Sequence, residues 1–139
     1  MRVVIDTNVL VSGLMKKGGS PPGRVVDDLK SGNLVPLYDQ RILSEYREVL
    51  VRPTLTRIHL PDAMVLLALI NTEGEEIEGA HFARQLLDPT DQPFADVAFT
   101  GQAELLITGN IRDFLPVGDL IRVVTPRQWL DLKASLEGA

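Results

Sequence analysis

Apolar positions come in two rhythms along this chain. Short runs such as Val3-Val4-Ile5, Leu34-Val35-Pro36-Leu37-Tyr38, Glu104-Leu105-Leu106-Ile107-Thr108 and Leu120-Ile121-Arg122-Val123-Val124 are nearly continuous. That pattern, rich in Val and Ile, predicts strands buried on both faces, as in a parallel sheet. Between them lie longer segments whose apolar residues recur every three or four positions, which predicts helices. Val9, Leu10, Leu14 and Met15 mark the first, weakened by Gly13 and ended by Lys16-Lys17-Gly18-Gly19. Ser20-Pro21-Pro22 opens the second, with Ser as cap and Pro tolerated in the first turn. Val25, Val26 and Leu29 are its stripe, and Ser31-Gly32-Asn33 stops it. Pro36 lacks an N–H and should sit where the sheet needs no bond from it.

Asp39 or Gln40 opens a third helix, which runs to about Arg52 and stops at Pro53, with Ile42, Leu43, Tyr46, Val49 and Leu50 as its stripe. Pro61-Asp62 starts a fourth that is apolar nearly all round from Ala63 to Ile70. More than one of its faces should be covered, by the core or by a second chain; Leu66 and Leu69 are the positions at which charges would test an interface. Residues 75–78 are an edge-strand candidate and 79–90 a loop. Asp91 is placed to cap a fifth helix, with Phe94, Val97 and Ala98 behind it and its end near Gly101. A short helical turn follows at Ile111-Arg112-Asp113-Phe114, and Thr125-Pro126 caps a closing helix that carries Trp129, Leu130 and Lys133. Strands alternating with helices predict an α/β fold with a parallel sheet, helices on both faces and right-handed crossovers. No repeat or linker breaks the pattern, so one domain is expected over 1–139.

Composition narrows the chemistry. Among 139 residues there is no cysteine and there are two His, which leaves no thiolate site and no His-rich metal site. His59 and His81 are isolated and are expected at the surface. The amino-terminal apolar run is broken at once by Asp6, unlike a signal peptide. The Ala63–Ile70 run is too short to span a bilayer, so a cytoplasmic protein is expected. A net charge of −5 argues against a protein that coats nucleic acid generally. The charge is uneven: residues 1–60 hold nine Lys/Arg against six Asp/Glu, and residues 61–139 hold five against thirteen.

Asp6 follows the first strand, at the carboxyl edge where open α/β sheets bind ligands. It, or Thr7, could equally cap the next helix. Asn110 follows the Glu104-Leu105-Leu106-Ile107-Thr108 strand at the same edge, and the helix behind Asp91 presents its start there. Glu45 shares a helix face with Ile42 and Val49, a costly place for a carboxylate without a partner. The pool is then Asp6, Glu45, Asp91, Asp96 and Asp113. Two unit charges 4 Å apart repel by about 4 kcal/mol at an effective dielectric of 20. Protons or a cation must relieve several in one cleft. Oxygen ligands without His or Cys favour Mg²⁺ or Mn²⁺. Acids, a hard metal and no nucleophilic side chain suit phosphodiester hydrolysis.

Four stretches occur in order: Val4-Ile5-Asp6-Thr7-Asn8-Val9-Leu10; Leu43-Ser44-Glu45-Tyr46-Arg47-Glu48-Val49-Leu50 with Arg52-Pro53; Asp88-Pro89-Thr90-Asp91; and Leu106-Ile107-Thr108-Gly109-Asn110 with Asp113-Phe114. The set resembles the PIN-domain ribonucleases, in particular the VapC-like branch that supplies toxins of prokaryotic type II toxin–antitoxin pairs. The resemblance spans nearly the whole chain. It implies a three-layer α/β/α fold round a mostly parallel sheet of four to five strands, Mg²⁺- or Mn²⁺-dependent endoribonuclease activity, frequent homodimers and an antitoxin partner. It makes Asp6 the central metal ligand, Glu45 the second acid and Asp91 the third. The family's usual fourth acid falls where this chain has Asn110, and Asp113 or Asp96 would supply the missing charge. Asn8, Thr108 and Asn110 would orient Asp6 and the metal. Lys16, Lys17, Arg24, Arg41, Arg47 and Arg52 are candidate contacts to RNA phosphates.

Two other acidic-pocket folds fit less well. A haloacid-dehalogenase-like phosphatase needs an acid two residues after Asp6, where Asn8 stands. A receiver domain needs an acidic pair before its phospho-acceptor and a Lys after the last strand, and neither is found. Because of Asn110, the remaining alternative is a catalytically weak or inactive relative that binds RNA or a protein.

Overall fold

The computed structural model of the chain describes residues 1–16, 18–52 and 57–138. Five strands form one parallel sheet: β1 (Arg2–Ile5), β2 (Val35–Tyr38), β3 (Glu75–Glu76), β4 (Leu105–Ile107) and β5 (Val123–Val124), in the spatial order β3-β2-β1-β4-β5. Val3, Val4 and Ile5 pair with Leu105, Leu106 and Ile107, and all six side chains are buried. The unbroken apolar runs therefore mark the two central strands, covered on both faces.

The helices are α1 (Thr7–Met15), α2 (Pro21–Ser31), α3 (Gln40–Leu50), α4 (Leu60–Glu73), α5 (Gln92–Thr100) and α6 (Pro126–Glu137), with a 3₁₀ helix at Ile111–Val117. The chain steps from β1 to β2 in one direction and from β3 back to β4 in the other. Right-handed crossovers then put α1–α2 and α5 on opposite faces, which makes the fold three-layered. α6 packs on α2, and α3 and α4 pack on each other and on β2. Gly13 is where α1 and α2 approach most closely: a Cβ there would lie 2.5 Å from Val26 Cγ2 and 2.6 Å from the Pro22 carbonyl oxygen. The residue that weakens α1 thus lets α2 dock on it.

Local signals act as the sequence predicts at several ends. Ser20 Oγ accepts from the Gly23 N–H, Asp39 Oδ1 accepts from the Ile42 N–H, and Thr125 with Gln128 makes a reciprocal capping box. Val35 donates to the Met1 carbonyl across to β1. The missing N–H of Pro36 therefore faces the other way, where β3 pairs only Leu37 and Tyr38. Elsewhere the elements are shorter than expected, β4 and β5 especially. The expected stop at Pro53 and the candidate cation Lys17 lie outside the described residues.

The apolar α4 requires one correction. Leu66, expected to mark an interface, is fully buried, as are Ala63 and Ile70. The exposed apolar positions are Leu60, Met64 and Val65, with Ala68 beside them. A groove of about 500 Å³ runs along this side, bounded by Arg47 and Val51 of the α3 end and by Met64 and Ala68. Among the described residues, no helix is long and apolar enough to cross a membrane.

Candidate active site

β1 and β4 are neighbours in the sheet, but the chain leaves them towards opposite faces, so the sheet's switch point lies between their carboxyl ends. Asp6 ends β1 there and Thr108-Gly109-Asn110 ends β4. Asp6 is only 6 % exposed. Its backbone continues the sheet, donating to the Ile107 carbonyl at 2.9 Å. Its side chain does not cap α1. Instead, Oδ2 accepts from Thr108 Oγ1 at 2.8 Å and from Asn8 Nδ2 at 3.3 Å. The Thr108 hydroxyl in turn accepts from the Asn110 N–H, and Asn8 Oδ1 accepts from the Gly109 N–H at 3.1 Å. The two loops are stapled together with Asp6 between them. A Cβ on Gly109 would meet Asn8 Oδ1 at 3.3 Å, so that a larger residue would press on the side chain that holds Asp6.

α3 brings the next groups. Tyr46, fully buried, donates its hydroxyl to the Ile5 carbonyl just before Asp6. Burial, then the charges of Asp6, Glu45 and Asp39, push its phenol well above the ordinary range, so it stays a neutral donor. Glu45, the residue before Tyr46, accepts from the hydroxyl of Thr7, which therefore serves α3 rather than the start of α1. Asp91 stands at the start of α5, and its side chain makes no capping bond. Sequence alone left the cap available as its purpose, and the structure withdraws that purpose. Its neighbour Asp88 is the residue tied down there, accepting from the Thr90 N–H and hydroxyl.

The electrostatics tie these acids together. Asp6 is raised above the usual carboxylate range by burial, against the Thr108 hydrogen bond, and further by the charges of Glu45 and Asp113. Asp91 is pushed up to about 6, by burial and then by Asp6, Asp113, Asp88 and Glu45. The charges that act on both are other carboxylates. Asp6, Glu45, Asp91 and Asp113 thus share one field, with Asp113 reaching it from the exposed 3₁₀ helix. Among the described residues, no three such side chains are already drawn round a single point that could hold an ion. The donor set still fits a hard divalent cation: it is all oxygen, it repels itself, and the Asp91 side chain has no hydrogen-bond or ion-pair partner among the described residues.

The other expected site residues are placed elsewhere. Asp96 is 5 % exposed, but Arg41 Nη1 donates to one of its oxygens at 3.1 Å and Gln92 Nε2 to the other at 3.0 Å. Its charge is met where it stands by Arg41. Arg41 also bonds Asp39, and Arg52 pairs with Glu48 at 3.0 Å. Arg24 and Arg47 are exposed, Arg47 on the α3–α4 groove. Asn110 is exposed and lines a cavity that Asn8 and Gly109 also line. Sequence reasoning missed Tyr46, whose only signal was a hydroxyl that needs a partner inside an apolar stripe. It also passed over Arg112, exposed between Asn110 and Asp113.

The raised Asp91 predicts a pH dependence. A group whose pKa is higher folded than unfolded stabilises the fold below its unfolded pKa, and that contribution is lost as pH rises through the folded value. The metal-free protein should therefore lose stability between about pH 4 and pH 6 on account of Asp91. Since the group is partly solvated, on the order of 1 kcal/mol is expected. Thermal melts in EDTA should show the slope in the wild type and a flatter profile in Asp91→Asn. An equal slope in both would assign it to other groups.

Among curated proteins, none matches the chain. A chain in the crystal structure of VapBC2 from Rickettsia felis, bound to a DNA fragment from their promoter, superposes with a TM-score of 0.58. The identity is 17 %, over 90 % of this chain and 98 % of that one. At that identity the likeness speaks for the fold, and it agrees with the three-layer arrangement above. A family model described as the PIN domain matches residues 2–112. That span runs from β1 into the 3₁₀ helix and holds Asp6, Glu45, Asp91, Thr108 and Asn110, and by it the chain belongs to the PIN domain family.

Proposed function

We propose that the protein is a divalent-metal-dependent endoribonuclease and the toxin of a toxin–antitoxin pair. One observation carries the reading: at the switch point of the sheet the charges of Glu45 and Asp113 act on Asp6, and those of Asp6, Asp113, Asp88 and Glu45 act on Asp91. Repulsion of that size stabilises nothing in the fold, and a cation would relieve it. Membership of the PIN domain family supports the nuclease reading. The likeness to VapBC2 adds to the resemblance to toxins already seen in the sequence.

Asp6, Glu45 and Asp91 are the residues that would hold Mg²⁺ or Mn²⁺, with Asp113 adding charge from the rim. Such an ion supplies Lewis-acid activation of water and neutralises charge gathering at phosphorus. The chain's own part is positional. Thr108 and Asn8 fix the rotamer of Asp6, Tyr46 fixes the strand end that carries it, and Thr7 holds Glu45 towards the cleft. Lys16, Arg24, Arg47 and Arg112 are exposed cations available to meet RNA phosphates. Arg41 and Arg52 would first have to leave their carboxylates.

Asn110 favours the weaker alternative, an inactive module that binds RNA or a protein, because it adds no charge where the family's usual fourth acid falls. Asp113 answers part of that, since its charge reaches both Asp6 and Asp91. The test is cleavage of a mixed pool of single-stranded and structured RNA by purified protein in Mn²⁺, in Mg²⁺ and in EDTA. Cutting in either metal that stops in EDTA is expected. No cutting together with no Mn²⁺ binding would leave the inactive module.

The homodimer and the antitoxin contact would use the exposed side of α4. In light scattering, Met64→Glu, Val65→Glu is expected to give a folded monomer where the wild type assembles. An unchanged assembly would remove this face from the interface. Leu66→Glu is unsuitable as a probe because it places a charge in the core.

A further inference from the structure

Close to Asp6 lies an open cavity of about 240 Å³, between the first turns of α1, the loop after β4 and the starts of α2 and α6. At ~30 Å³ of liquid per molecule it has room for about eight waters. Val9, Pro22 and Pro126 are its apolar lining residues. Asn110 and Ser12 also line it, and neither side chain has a hydrogen-bond partner among the described residues. Asn8 stands between this cavity and the cleft, lining the one and bonding Asp6 at 3.3 Å in the other. A group seated in the cavity is therefore separated from Asp6 by a single side chain.

We propose that this cavity receives one unpaired nucleobase of the RNA, next to the phosphate held at Asp6, and that the Asn110 amide reads its edge. The inference rests on the ribonuclease reading above and deepens it. Single-stranded RNA is recognised by bases splayed from the strand, packed between flat side chains and hydrogen-bonded along an edge. A primary amide offers one donor and one acceptor side by side, as it does in bidentate contacts to adenine. Asn110 is held for such a role. Its N–H bonds Thr108 Oγ1 at 3.0 Å and its carbonyl accepts from the Asp113 N–H, so the backbone is fixed and the side chain is left over. The residue that replaces an acid is thus a specificity-determining residue rather than a lost metal ligand. The apolar walls and the lack of a cation in the lining set a base apart from a phosphate as the occupant.

The test is sequencing of the ends produced from a randomised single-stranded RNA library in Mn²⁺, by the wild type, Asn110→Ala, Asn110→Asp and Ser12→Met. The wild type should prefer one base at a single position beside the cut. Asn110→Ala should reduce that preference about tenfold, and Ser12→Met, which fills the cavity, should remove it. Asn110→Asp should move it towards guanine, whose N1–H and N2–H are two neighbouring donors for a carboxylate. A wild type that cuts without base preference, or a preference unchanged in Asn110→Ala and Ser12→Met, would overturn the proposal and leave the ribonuclease standing. A second readout needs no activity: the Asn110 side-chain amide resonances on titration with the four nucleoside 5′-monophosphates and with ribose 5-phosphate. Shifts with a nucleotide and none with the sugar phosphate are expected. Such shifts in a protein that does not cut would uphold the cavity and reject the ribonuclease. No shift with any nucleotide in a protein that does not cut would overturn the cavity as well.

Discussion

Asp6→Asn should lose metal-dependent cleavage by roughly a thousandfold or more, and the metal-free variant should melt a few degrees above the wild type. The two halves come from the same geometry. Asp6 stands where β1 ends, 6 % exposed, with Thr108 and Asn8 already bonded to one oxygen. On the function proposed above Asp6 is one of an interdependent set of metal ligands, so its removal is expected to cost most of the activity. For stability the sign is reversed. Burial and the neighbouring carboxylates raise its pKa, so its ionised form at neutral pH is less favourable in the fold than in the unfolded chain. An amide of the same shape keeps an acceptor for Thr108 and removes the charge. A gain of a few degrees is the scale expected for relief of one such group in a domain of this size. Adding Mn²⁺ should invert the order, because only the wild type gains from binding. Melting curves with EDTA and with Mn²⁺, run beside the cleavage assay, check both halves. A variant that melts below the wild type in EDTA would mean that Asp6 is held by favourable contacts and not under electrostatic strain.

The same contrast shows what could be read from the chain beforehand. The order of strands and helices follows from the apolar rhythm, and topology then puts Asp6 and Thr108-Gly109-Asn110 at one edge. That inference needs only backbone direction. Side-chain partners need more. Asp96 looked available because it lies one turn into a helix behind Asp91, but the cation that neutralises it is Arg41, 55 residues earlier. Asp91 looked like a cap because its residue type and position fit one, and only coordinates show that the side chain does not make the bond. α4 failed in a third way. In a helix apolar nearly all round, no polar stripe marks the outer face, so Leu66 and Met64 are equivalent on paper. One packs in the core and the other is 55 % exposed.

Asp28 is the opposite kind of carboxylate, and its removal should cost the most stability. It is 5 % exposed on α2 and accepts from Lys133 Nζ at 2.7 Å, Trp129 Nε1 at 2.9 Å and Asn33 Nδ2 at 3.1 Å. Burial pushes its pKa up, but these three donors more than offset that and hold it below the usual range. It therefore stabilises the fold above its unfolded pKa, and the contribution is lost as pH falls, the reverse of Asp91. Nothing in the sequence pointed to it, because two of its partners lie 101 and 105 residues away on α6. Asp28→Ala leaves an indole N–H and an ammonium without their acceptor between two helices. A loss of about 3 kcal/mol is expected, near the lower end for breaking a buried pair, because Lys133 keeps 23 % exposure and can turn to water. Lys133→Met should cost less, since Trp129 and Asn33 still bond the carboxylate. The double variant should fall short of the sum by about 1 kcal/mol or more, the signature of groups in one network. Urea unfolding of the four proteins measures the cycle, and simple additivity would show that α6 is held by its apolar side chains and not by Asp28. Cleavage below the melting transition should be unchanged in all four, because this carboxylate already has its cations and the ones round Asp6 do not.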